Sequence, residues 1–119
     1  KAQGGEGDMP MQIELKDGVT ICRIEGAVDL HAAPGIKKEF AGLIDQKPPR
    51  LIINFSKVNH IDSSGLGILV EILKHVKVYG GCLKLTNLSP MIKSMFEIIK
   101  FDKIFDILAD EEGAIAAFK

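Results

Sequence analysis

Leu51-Ile52-Ile53-Asn54-Phe55 is apolar at positions of both parities, so a strand built from it needs cover on both faces. That requirement points to a sheet with helices packed on it, and the flanking sequence agrees. From Ala32 to Gln46 the apolar residues Ile36, Phe40, Leu43 and Ile44 recur at helical spacing, with Pro34 in the first turn, where a missing N–H does no harm. Lys47-Pro48-Pro49 ends this helix. Earlier still, Met11 to Lys16 alternates apolar and polar residues, Asp17-Gly18 is a hairpin turn signal, and Val19 to Gly26 is rich in β-branched residues. Two antiparallel strands should therefore open the domain.

Beyond Phe55 the same alternation continues. A helix starting at Ser63 is stopped by Gly80-Gly81, Cys82 to Thr86 reads as a strand, and Ser89-Pro90 combines an N-cap with a first-turn proline ahead of Met91, Ile92, Met95, Phe96 and Ile99. Ile104 to Ile107 has the composition of a short final strand, and Asp110 can cap a last helix carrying Ile115 and Phe118. The expected class is α/β: a mixed, mostly parallel sheet of four to five strands with about four α-helices, right-handed at each parallel crossover.

At 119 residues the chain is long enough for one core and too short for two. Lys1 to Pro10 is Gly-rich, polar and aperiodic, and is read as a flexible tail or a remnant of expression ahead of a single domain, residues 11–119. A net charge of −1 with scattered lysines offers no concentrated field to nucleic acid or to an anionic membrane surface. No apolar run approaches the roughly 18 residues of a membrane span, so a soluble, cytoplasmic protein is expected. Cys22 and Cys82 fall in strands without C-x-x-C or metal-ligand spacing and are expected to be buried, reduced thiols. Carboxylates and histidines form no metal-like cluster, and neither metal nor cofactor is expected.

Chemical interest concentrates in Ile61-Asp62-Ser63-Ser64-Gly65-Leu66-Gly67, where an apolar strand gives way to an amphipathic helix. The first N–H groups of a helix lack intrahelical partners and favour a capping oxygen or an anion. Asp62, Ser63 and Ser64 all qualify as caps. Gly65 and Gly67 each cost roughly 0.5–1 kcal/mol relative to Ala in a helix, which suggests a close approach to this backbone. At about 100° per residue, Leu66, Leu69, Val70, Leu73 and Val76 gather as a buried stripe. Ser63, Gly67, Glu71, Lys74 and Val78 gather opposite, leaving a notch at Gly67 where a partner could dock; the plainer reading is an ordinary solvated face. Enzymatic readings fare worse. Asp62-Ser63-Ser64-Gly65 is not a G-x-S-x-G elbow, no base completes a triad with a serine, and Gly65-Leu66-Gly67 lacks the rest of a nucleotide-binding loop.

Val58-Asn59-His60-Ile61-Asp62-Ser63-Ser64-Gly65-Leu66-Gly67 resembles the phosphorylation segment of STAS domains of the bacterial anti-sigma factor antagonist type. Gly26-Ala27-Val28-Asp29 with Ala33 is similar to the end of that family's second strand, and Ser89-Pro90 through Phe105 to its closing helix and strand, so the likeness spans Met11 to Phe118. The resemblance implies the STAS fold, no enzymatic activity, and Ser63 as phosphoacceptor. It also implies an anti-sigma factor that is a serine kinase as partner, and a serine phosphatase acting on the phosphorylated form. The unphosphorylated antagonist would bind the anti-sigma factor and free sigma; the alternative is a scaffold subunit of a stress-signalling or lipid-transport complex that is never phosphorylated. The chain departs from the family at Ala27, where an acidic residue is frequent, near Ala32, where Thr is frequent, and at Lys100, where glycine is common. The expected partner-binding set is Asp29, Asp62, Ser63, Ser64, Gly65, Gly67 and Glu71, with Asp62 accepting from the helix start, Asp29 near the same sheet edge and Ser64 serving mainly as a cap.

Overall fold

The computed structural model describes residues 11–119, so the expected tail lies outside the described residues. The elements run β1 (Met11–Lys16), β2 (Val19–Val28), α1 (Ala33–Asp45), β3 (Arg50–Ile61), α2 (Ser63–Val78), β4 (Cys82–Thr86), α3 (Pro90–Ile98), β5 (Asp106–Leu108) and α4 (Glu111–Ala117). They form the expected α/β fold, a five-stranded sheet in the order β1-β2-β3-β4-β5 with only the β1–β2 pair antiparallel. The opening hairpin turns through Asp17 and Gly18, both at positive φ (53° and 76°), as a two-residue turn between twisted strands requires.

Because the parallel strands are laid down in sequence order, right-handed crossovers put α1, α2 and α3 on one face. There Cys22, Ile24, Leu51, Ile53, Leu83 and Leu85 meet Ile36, Phe40, Ile68, Ile72, Ile92 and Phe96 in the main core. The opposite face is covered by α4, whose Ala114 and Ile115 pack on Val19, Ile21 and Ile52. This division explains the two-sided apolar character of Leu51–Phe55. Asn54, the polar exception, is also buried, and on the α4 side it donates to Glu111, which is paired with Arg23 through two hydrogen bonds of 2.8 and 3.0 Å. The Arg23 hydrogen bonds hold the Glu111 carboxyl below its ordinary range against the opposing effect of partial burial, with further help from Asn54. β3 pairs with β4 only from Arg50 to Asn54 but stays beside β2 as far as Ile61, so the last residues of β2 and β3 project as a two-stranded ribbon.

Three expectations need correction. The final strand is Asp106–Leu108, later than the Ile104 start read from composition. A 3₁₀ turn at Phe101–Lys103, entered through Lys100 in the left-handed region (φ 67°), occupies the space in between. That conformation also accounts for the suitability of glycine at this position. Cys82 is exposed at the start of β4, whereas Cys22 is buried, and burial pushes its thiol up to about 12 with a smaller contribution from Glu39. Finally, α2 is rotated relative to the expected stripe: Gly65, Ile68, Leu69, Ile72 and Val76 are buried, while Leu66, Val70 and Leu73 are only partly so. The helix is apolar around most of its circumference, so periodicity alone does not select its inner face.

Candidate functional site

The strand ends at Val28 and Ile61 are paired, which brings the β2–α1 and β3–α2 connections to one edge of the sheet. Asp62 organises this edge. Its backbone is extended, and its Oδ1 accepts hydrogen bonds from the N–H groups of Ser64 (2.9 Å) and Gly65 (3.2 Å), the orphan donors of α2. Its Oδ2 accepts from the N–H of Leu30 at 3.1 Å, fastening the neighbouring connection to the same carboxylate. Partial desolvation works to raise the Asp62 pKa, but the Gly65, Leu30 and Ser64 N–H groups, with the charge of His60, outweigh it and hold the carboxyl below its usual range. Asp29 Oδ1 accepts from the N–H of Ala32 at 2.9 Å in the turn that leads into α1, a helix with no side-chain cap of its own. Asp29, Leu30, His31 and Asp62 share one shallow depression.

The two glycines of the motif have separate reasons. A Cβ on Gly65 would fall 2.3 Å from the Val28 carbonyl oxygen and 2.7 Å from the Ile61 side chain, so the close approach inferred from sequence is made by the end of β2 itself. Gly65 is buried and offers no surface to a partner. Among the described residues nothing outside the helix's own turns lies within 4 Å of the corresponding position on Gly67, which leaves the notch open. Ser64 is not the cap. Asp62 already accepts from the first turn, and the Ser64 side chain makes no hydrogen bond with another described residue.

Ser63 is exposed at the first position of α2, and its hydroxyl likewise makes no hydrogen bond with another described residue. It stands at one end of a groove of about 700 Å³ between α1 and α2, with Phe40 and Ile68 in the floor and Lys37, Gly67 and Glu71 along the walls. Glu71 approaches His75 at 3.7 Å one turn further along. The structure thus gathers Ser63, Ser64, Gly67 and Glu71 in the groove and Asp29 with Asp62 at its mouth.

Two residues of this surface escaped the sequence reading. Leu30 is 73% exposed although its backbone is fastened to Asp62, which makes it a positioned apolar knob beside Ser63. Lys37 lines the groove and forms no ion pair with a described residue. A helical projection of α1 gives the only advance signal, since it puts Lys37 on the same side as Phe40 and Ile44.

The chain matches the STAS domain family over residues 10–114. It belongs to that family. The anti-sigma-B factor antagonist of Bacillus subtilis is 38% identical over 92 residues, covering 77% of this chain and 84% of that protein. Among solved structures, an anti-sigma factor antagonist from Mycobacterium paratuberculosis superimposes with a TM-score of 0.82 at 24% identity, covering 90% of this chain and 91% of that one. The Bacillus cell fate determinant SpoIIAA in its phosphorylated form gives a TM-score of 0.69 at 26% identity, covering 92% and 99%. The family is the one that the residues around Ser63 had suggested. Among the described residues of this STAS domain no group of His, Cys, Asp and Glu could hold a metal ion, and no helix is long and apolar enough to cross a membrane.

Proposed function

We propose that this STAS domain is an anti-sigma factor antagonist switched by phosphorylation of Ser63. In the unphosphorylated state its Ser63 edge binds an anti-sigma factor that is a serine kinase, which releases the sigma factor. Phosphate on Ser63 ends the complex, and a serine phosphatase restores binding. The observation that carries this reading is the division of labour at the start of α2. Asp62 caps the helix, so Ser63 is exposed and has no structural task. A kinase can reach its hydroxyl without unfolding the turn. A phosphate there adds roughly −1.5 to −2 charges beside a helix N-terminus that tolerates them, so the domain keeps its fold. The partner must accommodate the same anion in a desolvated contact, and a mismatch of about 3 kcal/mol already weakens binding about a hundredfold.

The test compares thermal melting and partner titration for wild type, Ser63→Ala and Ser63→Asp, using a candidate anti-sigma factor serine kinase. Ser63→Ala should bind but accept no phosphate. Ser63→Asp should melt near the wild-type midpoint and bind at least tenfold more weakly. Equal affinities in all three proteins would remove the switch and favour a constitutive scaffold subunit.

A further inference from the structure

Lys37 occupies an unusual position for a surface lysine. It lines the α1–α2 groove together with Ser63, above an apolar floor, and it pairs with no carboxylate among the described residues although Glu71 lines the opposite wall. Both helices return antiparallel to parallel neighbouring strands, so they start at the same end of the sheet. Lys37 lies four residues into α1 and Ser63 is the first residue of α2. Both residues line one groove, and the axes of packed helices lie about 8–10 Å apart. A four-carbon lysine stem and a phosphoserine, meeting head to head, span that distance. Gly67, without a side chain, lies along the path and leaves it clear.

We propose that Lys37 is the chain's own receiver for a phosphate on Ser63. The Lys37 ammonium donates to the phosphate oxygens, and the resulting ion pair bridges α1 to α2 over the Gly67 notch. Modification therefore does two things at once: it places an anion at the edge that a partner contacts, and it draws a side chain across the groove the partner would enter. The inference rests on the reading of Ser63 as phosphoacceptor and adds the residue that registers the phosphate. The other titratable groups around the groove and its mouth are Asp29, His31, Asp45, Asp62, Glu71 and His75. Four of these six are acidic, and none supplies the permanent positive charge that Lys37 does.

The test needs no kinase and no partner. Phosphoserine is installed at position 63 by genetic encoding, and the second ionisation of the phosphate, ordinarily near pH 6, is followed by ³¹P NMR in wild type, Lys37→Gln and Lys38→Gln. One positive charge about 4 Å away raises the acid constant about fivefold even at the dielectric of water. Wild type and Lys38→Gln should titrate together at the lower pH, and Lys37→Gln about fivefold weaker as an acid. Lys37→Arg should restore most of the difference, which separates a charge effect from a packing one. Coincident titration of wild type and Lys37→Gln, with both folded by circular dichroism, would overturn the proposal. A Ser63 that no cellular kinase modifies would instead end the phosphorylation reading while leaving the NMR result intact.

Discussion

Asp62 and Glu111 each stand at the start of a helix and each gather several donors, yet the two clusters differ in what they leave over. Glu111 is satisfied by side chains: Arg23 grips it through two hydrogen bonds, Asn54 adds another, and Glu14 closes the far side of Arg23 at 2.7 Å. The Arg23, Asn54, Glu14 and Glu111 side chains are all paired, although the buried hydroxyl of Thr86 beside Asn54 has no partner among the described residues, and the cluster fixes α4 to the sheet. Asp62 is satisfied by backbone alone, from Ser64, Gly65 and Leu30. Because the carboxylate does the capping, the adjacent hydroxyl of Ser63 and the notch at Gly67 remain uncommitted. A surface becomes available for recognition when one residue takes over the structural duties of its neighbours.

The sharpest way to break this contrast is Gly65→Ala. The new methyl would meet the Val28 carbonyl at 2.3 Å, and backbone rather than a flexible side chain must move. A loss of about 3 kcal/mol or more is expected, read as a collapse of the denaturation midpoint. An unchanged midpoint would show that the edge is softer than its packing implies.

Glu111→Gln should cost about 2 kcal/mol by chemical denaturation, since it removes charge-assisted hydrogen bonds from a part-buried cluster, yet leave partner affinity within twofold. The pH dependence follows from the lowered carboxyl. A depressed folded-state pKa contributes stability that is fully present above the ordinary value of 4.5 and is lost as pH falls through the folded value. Wild type should therefore lose stability below about pH 4.5 more steeply than the Gln variant, a comparison that acid melting curves supply.

Asp62→Ala should lower the thermal midpoint by about 3–6 °C, the ordinary effect of losing a cap in a domain of this size. It should also free Leu30 and weaken partner binding, so stability and recognition fall together here and separate at Glu111. The smallest effect on the fold is expected of Gly67→Ala, a gain of about 0.5–1 kcal/mol from helix propensity in open space. If the notch receives a partner, this slightly more stable protein binds more weakly in a titration.

Much of this architecture is legible in the sequence because local signals and the global pattern coincide. Asp17-Gly18 fits its turn, Ser89-Pro90 and Asp110 cap their helices, and Leu51–Phe55 demands cover on both faces that α1, α2 and α4 supply. What escaped depends on contacts between distant segments. The inner face of α2 is set by Gly65 against Val28, a contact 37 positions apart in sequence, which a helical projection of a helix with so broad an apolar arc does not contain. Asp62 accepts from the start of α2 as its position suggests, whereas Ser64 is left without the expected capping role because Asp62, which also fastens Leu30, already takes the first-turn N–H groups. The pairing of Arg23 with Glu111 joins residues 88 apart, and β5 was displaced by a turn hinging on a lysine in a glycine conformation.

The ribbon formed by the ends of β2 and β3 behaves as a cantilever whose root is the full sheet and whose free end carries Asp29 and Asp62. Its outward side chains at Ser56, Lys57, Asn59 and His60 are all exposed, and β4 lends the tip no hydrogen bonds. A change to an exposed side chain at the tip therefore disturbs little of the load-carrying root, and the α3–β5 half of the domain keeps its packing.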